Sequence, residues 1–178
     1  GKLDLCEGDT LLDIGCGWGS AITRAAGRFD VQATGITLSR QQAAWARDEI
    51  RRLRLEDRCQ VREINYLDLA RDAPPFDKVL SIGMLEHVGR PYLGDFARAV
   101  FALVRPGGLA LIHTITRPAG SSPVDDRSFS TRIFPGGYLP TVREVVDAFD
   151  DAGLTLQHAE NIGPNYALTL DAWSNRFD

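Results

Sequence analysis

Apolar residues come in short blocks divided by polar, glycine- or proline-bearing breaks, and the blocks alternate between two kinds of spacing. "TLLDIG" (10–15) is a continuous apolar run stopped by glycine, the pattern of a strand buried on both faces. "GSAITRAAGRF" (19–29) places Ile22, Ala25, Ala26 and Phe29 on one helical face. "VQATGIT" (31–37) reads as a second strand, and Ser39 stands where an N-cap would open the helix "RQQAAWARDEIRRLRL". "CQVREIN" (59–65), "FDKVLSIG" (76–83) and "LALIHTIT" (109–116) read as strands three to five. "DAPP" breaks the chain, Pro91 suits the first turn of "PYLGDFARAVFALV", and "RPGG" reads as a turn. Beyond a longer loop, Thr141 caps "VREVVDAFDDA", Gly153 stops it, and "LTLQHAE" (154–160) reads as a sixth strand.

Strands alternating with helices imply right-handed βαβ units and a mostly parallel, doubly wound α/β sheet covered on both faces. Such sheets collect ligands at the carboxyl ends of their strands, near the point where the strand order reverses. The chemistry is therefore expected in the loops after strands one, two, four and five.

Composition narrows the function classes. The 178 residues are 44% apolar and 25% charged, an ordinary globular balance, and 20 basic against 24 acidic residues give a net charge of −4. That charge argues against general nucleic-acid binding. No apolar run approaches the ~20 residues that span a bilayer. Cys6, Cys16 and Cys59 show no metal-ligand spacing, so a reduced, cytoplasmic setting is expected and no metal is. Both ends read as cut, with the first core strand starting almost at once and "LDAWSNRFD" reading as a helix only just begun. One domain over 1–178 is expected, a fragment truncated at both ends.

"LLDIGCGWGS" carries most of the chemistry. Asp13 precedes Gly15, Gly17 and Gly19, with Cys16 and Trp18 between the glycines. The spacing is G-x-G-x-G, not the G-x-G-x-x-G of pyrophosphate binders. An acid before the first glycine is poor company for phosphate and good company for a cation, and S-adenosylmethionine carries both an ammonium and a sulfonium. The bland reading is that these residues only shape a tight strand-to-helix turn. "GITLSRQQ" offers Thr37, Leu38, Ser39 and Gln42 where many nucleoside binders carry an acid for the ribose, so neutral groups would serve, and Ser39 could be a helix cap alone. Asn65 and Tyr66 in "INYLDL" could meet the adenine edge and face, or Tyr66 could simply pack.

"SIGMLEHVG" sets Glu86 and His87 where strand four should turn, and "LIHTI" sets His113 and Ile115 at the end of strand five. Taken alone, Glu86 could polarise a helix start and His113 could be a core histidine. Together with "LLDIGCGWG", "GITLSRQQ", "IFPGGYLP" and "NYALTLDAW", in this order over residues 11 to 173, these segments resemble the cyclopropane-fatty-acyl-phospholipid synthase family, which includes the mycolic acid cyclopropane synthases. The resemblance implies the Rossmann-like fold of the class I S-adenosylmethionine-dependent methyltransferases. It implies methyl transfer to an alkene of a lipid acyl chain, a carbocation, and a proton taken by bound bicarbonate. By the same resemblance Glu86, His113, the Ile115 backbone and Tyr166 contact that bicarbonate. The implied partner is an unsaturated phospholipid or fatty-acyl substrate, with peripheral contact at the inner membrane face allowed for and no nucleic acid.

The chain departs from the family pattern in places. The family supplies a cysteine from a segment upstream of the glycine loop; Cys6 lies too close to strand one to match it. Where the family has a tryptophan and a tyrosine before "IFPGG", Phe129 replaces one aromatic and Arg132 alters the lining. Arg47, Arg51, Arg54 and Arg58 could form a basic stripe toward anionic lipid, but the interleaved acids favour a solvated helix face. Two other functions remain open: an amine N-methyltransferase of related fold, and a domain that holds S-adenosylmethionine without turnover.

Overall fold

Neighbouring residues of the first apolar run face opposite ways, and that places one hydrophobic layer on each side of the sheet. The computed structural model describes residues 1–121 and 137–177. In it β1 (Thr10–Ile14) points Leu11 into one core and Leu12 and Ile14 into the other. The first core lies under α1 (Ser20–Phe29) and α2 (Arg40–Arg52), which contribute Ile22, Ala26, Ala46 and Ile50. The second lies under α3 (Tyr66–Asp72) and α4 (Leu93–Leu103), with Leu69, Phe96, Val100 and Leu103.

The remaining strands are β2 (Gln32–Thr37), β3 (Cys59–Glu63), β4 (Phe76–Ile82) and β5 (Val104–His113). They form a five-stranded parallel sheet in the order β3-β2-β1-β4-β5. β1 is central: Leu12 stands between Thr34 of β2 and Val79 of β4. The order reverses between β1 and β4, so the crevice expected for a ligand opens beyond Ile14 and Ile82.

Expected and observed elements agree to within a few residues for β1 to β4, α1, α2 and α4. Ser39 caps α2 by accepting the Gln42 N–H at 3.3 Å. Thr141 opens α5 (Val142–Asp151) with a full capping box: Glu144 N–H donates to its hydroxyl at 3.2 Å, and its own N–H donates to Glu144 Oε2 at 2.8 Å. "RPGG" is more than a turn, because β5 begins before it. Phe76 pairs with Val104 and Lys78 with Leu109, so 105–108 bulge out of a continuing ladder.

Two departures stand out, the unforeseen helix after β3 and the segment 154–160. The third strand ends at Glu63, and Asn65 instead caps the unforeseen α3 by accepting the Leu67 N–H at 2.9 Å. Residues 154–160 are not a strand. A strand needs a ladder to satisfy its backbone, and no described strand lies on the outer edge of β5; Leu154 packs into the second core while Leu156 stays 58% exposed. The face carrying Arg47, Arg51 and Arg58 has the local partners that the interleaved acids favoured: Arg47 donates to Val61 O at 3.0 Å, Arg51 pairs with Asp48, and Arg58 with Asp30. Phe129, Arg132 and residues 133–136, the first half of "IFPGGYLP", lie outside the described residues. Among the described residues no helix is long and apolar enough to cross a membrane, and no cluster of His, Cys, Asp or Glu is placed to hold a metal.

Gly35 shows how tightly β2 meets the loop above it. A Cβ there would lie 2.8 Å from both Cys16 Cβ and Ile22 Cδ1. Gly35→Ala is expected to destabilise the protein by about 1–3 kcal/mol through overpacking, read as a lowered urea midpoint at unchanged slope; an unmoved midpoint would show that the loop yields freely.

Candidate active site

The glycine loop turns over the end of the sheet because its backbone adopts left-handed conformations that glycine takes without steric cost. Gly15, Gly17 and Gly19 have φ of +80°, +53° and +84°. Gly15 and Cys16 both donate their N–H to Ile36 O at 2.9 Å, which ties the loop to β2 before α1 begins. The loop thus leaves Asp13 at the sheet edge, only 3% exposed. Its Oδ1 has no hydrogen-bond partner, and burial pushes its carboxyl from 3.8 up to about 7. A buried carboxylate without a partner is costly, so this one suits a cationic or hydrogen-bond-donating ligand. Cys16 is no candidate nucleophile: burial first, then the nearby Asp13, push its thiol up to about 12.

Around the loop, the expected binding residues divide. Thr37 Oγ1 donates to Gln42 Oε1 at 2.9 Å and accepts the Ser39 N–H at 3.1 Å, which makes one polar cluster at the end of β2. Leu38 beside it is 69% exposed. Trp18 is half-exposed and stands edge-on to Trp45, with ring centroids 6.1 Å apart. Asn65 spends its carbonyl oxygen on the α3 cap, and Tyr66 packs edge-on against Phe96 at 5.3 Å.

Across the crevice, β4 and β5 bring a second polar group together. Ile82 pairs with His113, and the Gly83 N–H donates to His113 O at 3.0 Å. A short 3-10 turn, Leu85–His87, then folds Glu86 inward until it has no exposed surface. Glu86 Oε1 accepts the Ile115 N–H at 2.6 Å, and its main-chain carbonyl accepts the Tyr138 N–H at 2.9 Å. Glu86 Oε2 and His113 Nδ1 are buried with no partner. The structure therefore gathers Glu86, His113 and Ile115 at one edge, with the Ile115 N–H already bonded to Glu86. It does not join Tyr166 to them: Tyr166 opens α6 (Tyr166–Phe177), is 42% exposed, and has no hydrogen bond to either group among the described residues. The physical reason lies in α6 itself, whose Leu168, Leu170 and Trp173 are exposed rather than packed on the sheet.

Sequence reading missed the network beside Glu86. Arg117 donates to Leu139 O, Ser121 O and the Tyr138 hydroxyl, and that hydroxyl donates to Glu144 Oε1 at 2.7 Å. The available signal was the T-x-x-E spacing of Thr141 and Glu144, which marks a capping box but not its partners.

Asp13 gives a pH test. The stability that goes with its neutral form is complete below the unfolded value near 3.8 and is lost as pH rises through about 7. In ligand-free protein, Asp13→Asn should therefore gain stability over the unaltered chain progressively across that window. Urea midpoints at a series of pH values check this; a constant difference would remove the buried carboxylate as its source.

Comparison with known proteins shows the family and the fold. The mycolic acid cyclopropane synthetase family model matches residues 1–178. A probable fatty acid methyltransferase of Pseudomonas putida is 38% identical over 99% of this chain and 46% of its own. Cyclopropane mycolic acid synthase MmaA2 of Mycobacterium tuberculosis is 36% identical over 98% of this chain and 64% of its own, and its solved structure superposes with a TM-score of 0.87. The structure of mycolic acid cyclopropane synthase CmaA1 complexed with SAH and CTAB has a TM-score of 0.85 at 32% identity, covering 98% of this chain and 64% of that one. The chain thus spans roughly half to two thirds of the length of these relatives. With a family model matched end to end and relatives at such identity, the chain belongs to the mycolic acid cyclopropane synthetase family.

Proposed function

We propose that the chain is the catalytic methyltransferase domain of an S-adenosylmethionine-dependent enzyme acting on an unsaturated lipid acyl chain, with a cyclopropane or methyl-branched product. The observation that carries the reading is the pair of buried, unpartnered atoms Glu86 Oε2 and His113 Nδ1 at the joined ends of β4 and β5. Family membership and the relatives that act on mycolic and fatty acids support the substrate class.

The residues present fit the cofactor. The orphaned Asp13 Oδ1 offers an acceptor for its ammonium group, the positive-φ glycines allow close backbone approach, and Thr37 with Gln42 offers neutral groups to the ribose. When bound, S-adenosylmethionine supplies an electrophilic methyl group. An alkene is a weak nucleophile, and the carbocation left on the acyl chain must lose a proton before water captures it. Bicarbonate would supply the proton acceptor. Glu86 Oε2 could accept its hydroxyl proton and the His113 ring could donate to an anionic oxygen, which answers the repulsion a carboxylate would otherwise exert on an anion. Ile115 would act through Glu86, since its N–H already holds Oε1, and Tyr166 would have to close onto the pocket from α6.

The test is direct. Incubated with S-adenosylmethionine and unsaturated phospholipid vesicles, the protein should yield acyl chains heavier by one CH₂ by mass spectrometry. Glu86→Gln should bind S-adenosylhomocysteine as the unaltered protein does in calorimetry while turning over about a hundredfold more slowly, the scale of a lost proton-handling group. Binding without any product would favour the non-catalytic reading, and equal loss of binding and turnover would take Glu86 out of the chemistry.

A further inference from the structure

Glu86 is held by two backbone N–H groups from two different segments, so its orientation depends on what keeps those segments together. Ile115 lies just before Arg117 and grips Oε1; Tyr138 grips the main-chain carbonyl. Arg117 joins the two segments. Its N–H donates to Pro140 O at 3.0 Å, and it forms a parallel bridge with Thr141. Its guanidinium, whose side chain is only 12% exposed, donates to Leu139 O at 3.1 Å, Ser121 O at 2.8 Å and the Tyr138 hydroxyl at 3.1 Å. A planar fork with several fixed donors suits this better than a lysine would.

The Tyr138 hydroxyl then passes the connection on, donating to Glu144 Oε1 at 2.7 Å. Glu144 is fixed in turn by the Thr141 N–H at 2.8 Å, the Thr141 hydroxyl at 3.0 Å and Arg90 Nε at 3.1 Å. Burial pushes the Glu144 carboxyl up, but the Thr141 N–H, the Tyr138 and Thr141 hydroxyls and the Arg90 charge outweigh it and hold the group down at about 2. Glu144 is therefore a constant anion, and the network does not switch near neutral pH. Neither Arg117 nor Tyr138 is needed to cap α5, which Thr141 and Glu144 accomplish between themselves, so the Arg117–Tyr138 arm calls for another explanation.

We propose that Arg117, Tyr138 and Glu144 are positioning residues: they clamp the 115–117 and 138–141 segments together and so fix the direction in which the unpartnered Glu86 Oε2 faces. The catalytic consequence rests on the function proposed above; the structural one does not.

Tyr138→Phe tests both, because it deletes the hydroxyl between Arg117 and Glu144 and keeps the ring. The 2.6 Å bond to a carboxylate should place the Ile115 amide proton at low field in the NMR spectrum. In Tyr138→Phe that resonance should move upfield while amides of β1 and β2 stay in place. Turnover should fall on the order of tenfold with KM for S-adenosylmethionine unchanged, the signature of a misdirected group. In a Glu86→Gln background the same substitution should cost nothing further, because its effect runs through Glu86. Glu144→Gln should repeat the pattern and serves if Tyr138→Phe does not fold. An unmoved Ile115 resonance, or equal losses of turnover in both backgrounds, overturns the proposal. If the unaltered protein transfers no methyl group, the proposed function fails while the Ile115 resonance still decides the clamp.

Discussion

A carboxylate with no exposed surface survives inside a protein only if donors are brought to it, and Glu86 stands in that position. One oxygen is satisfied by the backbone of the segment leaving β5. That bond needs β4 and β5 in parallel register out to Ile82 and His113, since the donor follows the pairing by only two residues. It also needs the chain to turn at once after β4, which the 3-10 turn at Leu85–His87 provides. Sheet register, turn and carboxylate are thus one constraint. The second oxygen is left over when the first is met, buried and without a hydrogen-bond partner.

Asp13 is the same problem solved in another way. It sits at the end of the central strand, flanked by Gly35 on β2 and Leu80 on β4, where neither neighbour's side chain can donate a hydrogen bond. Burial raises its carboxyl toward neutrality because nothing in the chain compensates the charge. The two carboxylates lie on either side of the point where the strand order reverses. Glu86 has one oxygen bonded and one without a partner, and Asp13 Oδ1 has no partner. That division suits a crevice with a cofactor on one side and a reacting centre on the other.

The opposite end of the sheet shows what a purely structural carboxylate looks like. Asp77 Oδ2 accepts both the Thr10 N–H at 2.8 Å and the Thr10 hydroxyl at 2.7 Å, and Oδ1 pairs with Arg105. Thr10 first, and Arg105 after it, hold this carboxyl well below the usual range. Here β1, β4 and the start of β5 are stitched together with both oxygens occupied, which leaves nothing to offer a substrate. The carboxylate at the amino ends of the strands is saturated, whereas Asp13 Oδ1 and Glu86 Oε2 at the carboxyl ends have no partner.

Much of this was legible from local pattern. An apolar run stopped by glycine marked β1, short strand-like blocks marked β2 and β4, Ser39 and Thr141 marked helix starts, and the D-x-G-x-G-x-G run located the loop, because each of these depends on residues within one or two turns of each other. The motifs also singled out Glu86 and His113, which the structure brings to one edge at the ends of β4 and β5. Whether 154–160 forms a strand, and whether Tyr166 reaches Glu86 and His113, was not decidable this way. A strand exists only when another supplies its ladder, and a side chain reaches a pocket only when its helix is packed there. Likewise, no local signal says that the Ile115 N–H is bonded to Glu86 across 29 residues, or that Arg117 and Tyr138 meet across 21. The sequence by itself determined the order of elements and the residue types at the sheet edge. Only the tertiary structure decided which buried polar atoms are paired and which are left over, because satisfaction of a polar atom is set by distance in space and not along the chain.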